Sequence, residues 1–238
     1  MRIVKRDFKR LSRVLITVSV MLFFVVGLAY AETTTVIAQK NEFGGKTTKT
    51  VYTQGDKNAE LFVDHFIYYY DTGRKAKEEY SYTEKIMQQT GFKKAAAYFN
   101  VATEKVAKQE YEFTDAISSA NGYLKYTDHY GSKGIIVRRE AVYTDKYSKE
   151  NAMIKHVDYY DSNRITHREY YYTDKHAETK GYYRFTVTYS ASNMVATRAF
   201  DYTQKYAKEN GFDKLINYFD ATGKQVKQEY YKDNKLVK

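Results

Sequence analysis

Glu169-Tyr170-Tyr171-Tyr172-Thr173 is one copy of a motif that recurs along this chain. Its counterparts are Glu79-Tyr80-Ser81-Tyr82-Thr83, Glu110-Tyr111-Glu112-Phe113-Thr114, Glu140-Ala141-Val142-Tyr143-Thr144 and Ala199-Phe200-Asp201-Tyr202-Thr203. A partial copy, Thr50-Val51-Tyr52-Thr53, precedes them, and a last copy begins at Glu229-Tyr230. The second position falls at residues 50, 80, 111, 141, 170, 200 and 230, in steps of 29 to 31, so one unit repeats in tandem. Inside the motif Tyr80 and Tyr82 face one way while Glu79, Ser81 and Thr83 face the other, the period of two of a strand.

Upstream of each copy lies a second strand-like run ending in an aromatic and a turn residue: His65–Asp71, Ala95–Asn100, Lys155–Asp161, Phe185–Ser190 and Lys214–Asp220. Between the two runs stand turns such as Asp71-Thr72-Gly73-Arg74 and Asp220-Ala221-Thr222-Gly223-Lys224. Asp can bond its own following backbone and Gly accepts positive φ, so each unit reads as a β-hairpin. Connectors 84–91, 115–122, 145–152, 174–181 and 204–211 each follow a Thr and open on an acid or amide, and four of them close on Gly. Those are helix-boundary signals, but so short a segment is marginal alone, and one or two helical turns or an ordered loop both fit. In the helical form Ile86, Ile117, Tyr147 and Tyr206 would tuck beneath. Residues 123–139, with two glycines, predict an irregular hairpin with a bulge or extended tip.

The fold expected is mainly β: tandem hairpin repeats of about 30 residues forming an elongated antiparallel meander or open solenoid, with short helical turns or loops between hairpins. Residues 1–31 read as a signal peptide, 32–47 as a polar leader, and 48–238 as a single hairpin-repeat domain of about six repeats. A basic stretch ends at Arg13, Val14–Leu28 is uncharged and apolar, and Ala29-Tyr30-Ala31 supplies the small residues of a cleavage site. An uncleaved anchor is the other reading, since 14–31 is 18 uncharged residues, the short end for a bilayer span. No long apolar run follows, so no transmembrane segment is expected after cleavage.

The net charge of +10 divides evenly between residues 1–31 and the rest, where both signs intersperse, which argues against a nucleic-acid partner. With 27 Tyr, 13 Phe and no Trp, and only Leu61, Leu124, Leu215 and Leu236 after residue 31, Tyr must supply much of the buried area. Cysteine is absent, which removes a disulfide framework and thiolate chemistry.

The units ending YYYDTGRKAKEEYSY and YFDATGKQVKQEYY resemble the Y-D-x-x-G-[KR]-x-x-x-E-Y hairpins of YD-repeat and MORN-like repeat families. The resemblance implies side-by-side hairpins and a bacterial surface or secreted protein; it transfers no active site or ligand. The period here is longer than in those families, and several turns lack Gly.

No residue set nominates catalysis. The column Glu79, Glu110, Glu140, Glu169 and Glu229 offers carboxylates in similar environments, whereas acid–base pairs need environments that differ. Lys77, Lys108, Arg138, Arg139, Arg168 and Arg198 beside them predict charge pairing across strands. His65, His129, His156, His167 and His176 share no phase of the repeat and read as surface or half-buried residues, so neither a metal nor a cofactor is expected. Tyr80, Tyr82, Tyr111, Tyr170, Tyr172 and Tyr202 are the predicted core. The alternate row, Tyr69, Tyr159, Tyr171 and Tyr231, together with Tyr130 of the odd hairpin, is the candidate ligand surface, suited to a chain-like glycan. The expected role is non-enzymatic: an exported binding module or scaffold of the bacterial envelope, meeting a surface glycan or envelope protein. A self-assembling fibre subunit is the alternative, and an envelope enzyme ranks below both.

Overall fold

The computed structural model describes residues 33–52 and 56–238; the apolar run Val14–Leu28 and the cleavage motif lie outside them. The described residues are mainly β, with fifteen strands and five short helices. They form two compact units, one ending at Lys94 and the other running from Ala95 to Lys238. Within each unit strand order is chain order, so each is an open antiparallel meander.

The first unit holds β1 (Thr33–Ile37), β2 (Gly44–Val51), β3 (Phe62–Tyr70), β4 (Lys75–Tyr82) and helix α1 (Glu84–Thr90). β1 pairs with β2 from Thr33↔Val51 to Ile37↔Thr47, so residues 33–47 supply a strand and the start of another. Across β3 and β4, His65 stacks on Tyr80 at 4.5 Å. Its two ring nitrogens meet the Tyr52 hydroxyl at 2.6 Å and Glu78 at 2.9 Å.

The unit boundary falls inside β5 (Phe92–Phe99). The second unit continues with β6 (Val106–Phe113), α2 (Asp115–Asn121), β7 (Tyr123–Tyr130), β8 (Ile136–Tyr143), α3 (Asp145–Asn151), β9 (Met153–Asp161) and β10 (Arg164–Tyr172). Then come α4 (Asp174–Lys180), β11 (Tyr182–Tyr189), β12 (Val195–Tyr202), α5 (Gln204–Asn210), β13 (Lys214–Phe219), β14 (Gln225–Lys232) and β15 (Lys235–Leu236).

The connectors are helices, and the reasons are local and tertiary together. Thr114, Thr144, Thr173 and Thr203 each accept the amide three residues on, at 3.2 to 3.4 Å. Left-handed Gly122, Gly181 and Gly211 end three of them, at φ 77°, 84° and 82°. An aromatic ring then ties the helix to the sheet: Tyr147 on Tyr143 at 4.4 Å, His176 on Tyr172 at 4.3 Å, Tyr206 on Tyr202 at 4.3 Å. That packing supplies what seven isolated residues lack.

The uneven repeat spacing is set in the turns. Tyr70, Gly131 and Asp220 close ordinary turns on the carbonyls of Arg74, Ile135 and Lys224. Asn100 instead closes on Lys105, one residue longer, and Ser162-Asn163 forms a two-residue turn with both φ positive, at 50° and 66°. These give the 31- and 29-residue steps. The hairpin over 123–139 carries the expected bulge, but the bulge is not peculiar to it. Its register shift at His129/Tyr130 recurs at Thr188/Tyr189 and Tyr218/Phe219.

Register sorts the second unit's side chains onto two faces. On the aromatic face Tyr111 opposes Tyr126, Tyr126 opposes Ala141, His156 opposes Tyr170, and Phe185 opposes Phe200. Tyr111 and Phe113 are 1% exposed, and the helix rings stack on this same face. The predicted core tyrosines of both units are buried or half-buried; burial raises Tyr82 and Tyr172 to about 12. Ala141 and Val187 complete the aromatic face, while Val157 and Ala199 are buried on the opposite one.

A buried ionic row crosses the aromatic face. Arg139 forks onto Asp128 at 2.6 and 2.7 Å, and Arg168 forks onto Asp158, with Nη2 at 2.6 Å from Oδ2. This corrects the expected pairing of Arg139 and Arg168 with the Glu column, because both residues point to the opposite face from it. Arg198 is exposed, with its guanidinium over the Phe219 ring at 4.9 Å. His65 and His156 are corrections too: both are buried, and the Tyr143 hydroxyl lies 2.8 Å from His156 Nδ1.

Candidate binding face

The opposite face of the second unit carries the Glu column, and each Glu is held by side chains two residues away on its strand and by a neighbouring strand. Glu110 meets Lys108 at 3.0 Å and the Tyr98 hydroxyl at 3.1 Å. Burial works to raise its pKa, but these donors leave it below the ordinary value. Glu140 meets Arg138 at 2.7 Å and Lys155 at 3.3 Å. Glu169 accepts from Tyr171 at 2.8 Å and Tyr159 at 3.2 Å, with Arg184 at 3.4 Å. Glu229 bonds Lys227, Tyr218 at 2.6 Å and Tyr231 at 2.7 Å, and those contacts hold its pKa down at about 2. In the first unit, Lys77 pairs with Glu79 at 2.6 Å. Every glutamate of the column thus has a cation partner, which is a structural ladder.

The candidate tyrosines divide by position. Tyr159, Tyr171 and Tyr231 lie on this ladder face, half-buried, with their hydroxyls on glutamates. Tyr69 and Tyr130 lie beyond the bulge of their hairpins, next to the turn, where the register has shifted. Tyr130 sends its hydroxyl to Gln109 on the aromatic face, and Lys46 stands over the Tyr69 ring at 5.2 Å. The residue in the phase of Tyr159 is Tyr68, not Tyr69: Tyr68 opposes Lys77 as Tyr159 opposes His167.

Three tyrosines in this phase were missed from sequence: Tyr98 and Tyr218 in the second unit, and Tyr68 in the first. The usable signal is the phase itself, since residues 68, 98, 129, 159, 188 and 218 recur every 29 to 31 positions as Tyr, Tyr, His, Tyr, Thr and Tyr. Two positions before each ladder Glu stands a basic residue, and Thr197-Arg198-Ala199 is the one break in that pattern from Lys77 to Glu229.

Ring faces here are partly occupied. Lys77 lies 4.9 Å from the Tyr68 ring, Lys108 3.7 Å from Tyr98, Lys155 4.9 Å from Tyr171 and Lys227 5.4 Å from Tyr218. His167 stacks on Tyr159 at 4.0 Å. Such cation–π and stacked contacts fix the rings in place. Among the described residues there is no group of three or more His, Asp or Glu placed to hold a metal ion, and no helix long and apolar enough to cross a membrane. No family model matches the chain, and no curated protein matches it.

Proposed function

We propose that this chain is an exported, non-enzymatic repeat protein that serves as a scaffold or binding module in the bacterial cell envelope and meets an envelope polymer or protein through its ladder face. The observation that carries this is the Tyr–cation–Glu set of the ladder, which recurs in alternate hairpins of the second unit with hydroxyls and carboxylates already partnered. Such a surface is pre-organised and presents similar groups at regular intervals, as contact with a chain-like ligand requires. Export rests on the Val14–Leu28 run with Ala29-Tyr30-Ala31, and on the likeness to YD-repeat and MORN-like hairpins. The rings' own cation partners favour a scaffold contacted at many weak points over a deep sugar-stacking site. Pull-down of the purified chain on peptidoglycan, envelope polysaccharides and envelope protein extracts tests this: specific retention weakened by Glu169→Gln/Tyr159→Phe supports it, and no retention on any of them removes the binding role.

Self-assembly is the second reading, favoured by β1, whose five residues Thr33–Ile37 are uncharged and all exposed. An uncharged, exposed edge can template another strand. Sedimentation across a concentration series decides it, and a monomer throughout ends the idea.

A further inference from the structure

The helices of the second unit close their clefts by a repeated plug. A Cβ on Gly122, the left-handed residue after α2, would lie 2.2 Å from the Tyr147 ring of α3. One on Gly181, after α4, would lie 2.3 Å from the Tyr206 ring of α5. Glycine is required at both places, for the backbone conformation and for the ring pressed against it. Between α3 and α4 both halves of this plug are replaced. Ala152 occupies the left-handed position at φ 63°, and His176 stands where its neighbours carry Tyr.

The cleft that results is a depression of about 430 Å³. Lys149, Lys175 and Lys180 line it with Ser148, Thr173, Thr179 and His176, and no carboxylate is among the lining residues. The lack of an acid is also a departure from the array: Thr179 and Lys180 stand where α3 has Glu150-Asn151 and α5 has Glu209-Asn210. None of the three lysines forms an ion pair among the described residues. His176 Nε2 is buried with no hydrogen-bond partner. Three unpaired cations around one concavity that holds no carboxylate are a complement for a bound anion.

We infer that the α3–α4 cleft binds a phosphate-type oxyanion through Lys149, Lys175 and Lys180, with His176 and Thr179 beside it. The group can come from free phosphate, from a phosphodiester envelope polymer or from a phospholipid headgroup, which present the same chemistry. A seated oxyanion supplies the counter-charge that the three ammonium groups lack.

Calorimetric titration of the full chain with inorganic phosphate at low ionic strength tests the site. The chain binds phosphate, and Lys175→Ala/Lys180→Ala weakens binding about tenfold or more. Ala152→Gly/His176→Tyr, which rebuilds the plug found in the neighbouring clefts, abolishes binding while raising the melting temperature, so its loss of binding is not a loss of fold. Lack of phosphate binding by the unaltered chain, or undiminished binding by the plugged variant, overturns the inference. Once phosphate binds, plug-sensitive retention on phosphatidylglycerol vesicles assigns a lipid source, and plug-sensitive retention of a glycerol-phosphate polymer assigns a wall source. These titrations are separate from the ladder-face pull-down, because Glu169 and Tyr159 do not line the cleft.

Discussion

Arg138 and Arg139 are adjacent, identical in type and both paired with a carboxylate, yet they belong to different environments. Arg138 lies on the ladder face, its side chain 32% exposed and its partner Glu140 22% exposed. Arg139 lies on the aromatic face, 16% exposed, with Asp128 at 0%. The pleat alone sends them to opposite sides. On the ladder face water still screens the pair, so the contact orders the surface without contributing much stability. On the aromatic face both charges have left water, and each depends on the other. The same chemistry is thus decoration on one side of the sheet and obligation on the other.

The largest expected effect breaks the buried side of this comparison. Arg139→Ala leaves Asp128 charged and unmatched and should destabilise the chain by about 3–5 kcal/mol, whereas Arg138→Ala should cost about 1 kcal/mol or less. Chemical denaturation of both variants measures the difference, and equal losses would refute the distinction between the faces.

Acid probes the same side through His156. Burial lowers its pKa to about 4 from an ordinary 6.5, so the unfolded chain binds the proton first. Its contribution is fully present above pH about 6.5 and is lost as pH falls toward about 4, on the order of 3 kcal/mol. Urea unfolding at pH 7 and 4.5 should show the fall, and His156→Gln should flatten that part of the profile. Glu78 of the first unit, whose pKa is lowered to about 2 despite burial by the bonds from His65 and Tyr80, loses its share only in the window below pH about 4.5.

Gly122→Ala sharpens the contrast between backbone and side-chain demands. The new methyl meets the Tyr147 ring and sits at positive φ, for a loss of about 2 kcal/mol. Adding Tyr147→Ala relieves the clash but not the φ strain, so a thermal melt of the double variant separates the two. The smallest effect belongs to the ladder face: Tyr159→Phe removes one hydroxyl from Glu169, which keeps Tyr171 and Arg184, and should shift stability by less than about 1 kcal/mol in the same assay.

Much of the architecture was legible because it depends on short-range chemistry. Asp and Gly at the turns, Thr and Gly around the connectors and the period of two in the strands each act within a few residues. The candidate site was legible only in part. Tyr159, Tyr171 and Tyr231 fall on the ladder face because they alternate with the core row, but Tyr69 lies beyond a β-bulge that shifts the register by one, and a bulge leaves no mark in the hydrophobic pattern. The buried Asp128–Arg139 and Asp158–Arg168 pairs were hidden for a related reason: each Arg sits beside a Glu in sequence and across from an Asp in space.

By itself the sequence determined the repeat, the hairpins and the rows of tyrosine, since these follow from local periodicity and turn chemistry. Only the tertiary structure decided which charges leave water and which helix clefts are plugged. Those outcomes depend on what lies one strand or one helix away, beyond the few residues over which a local preference acts.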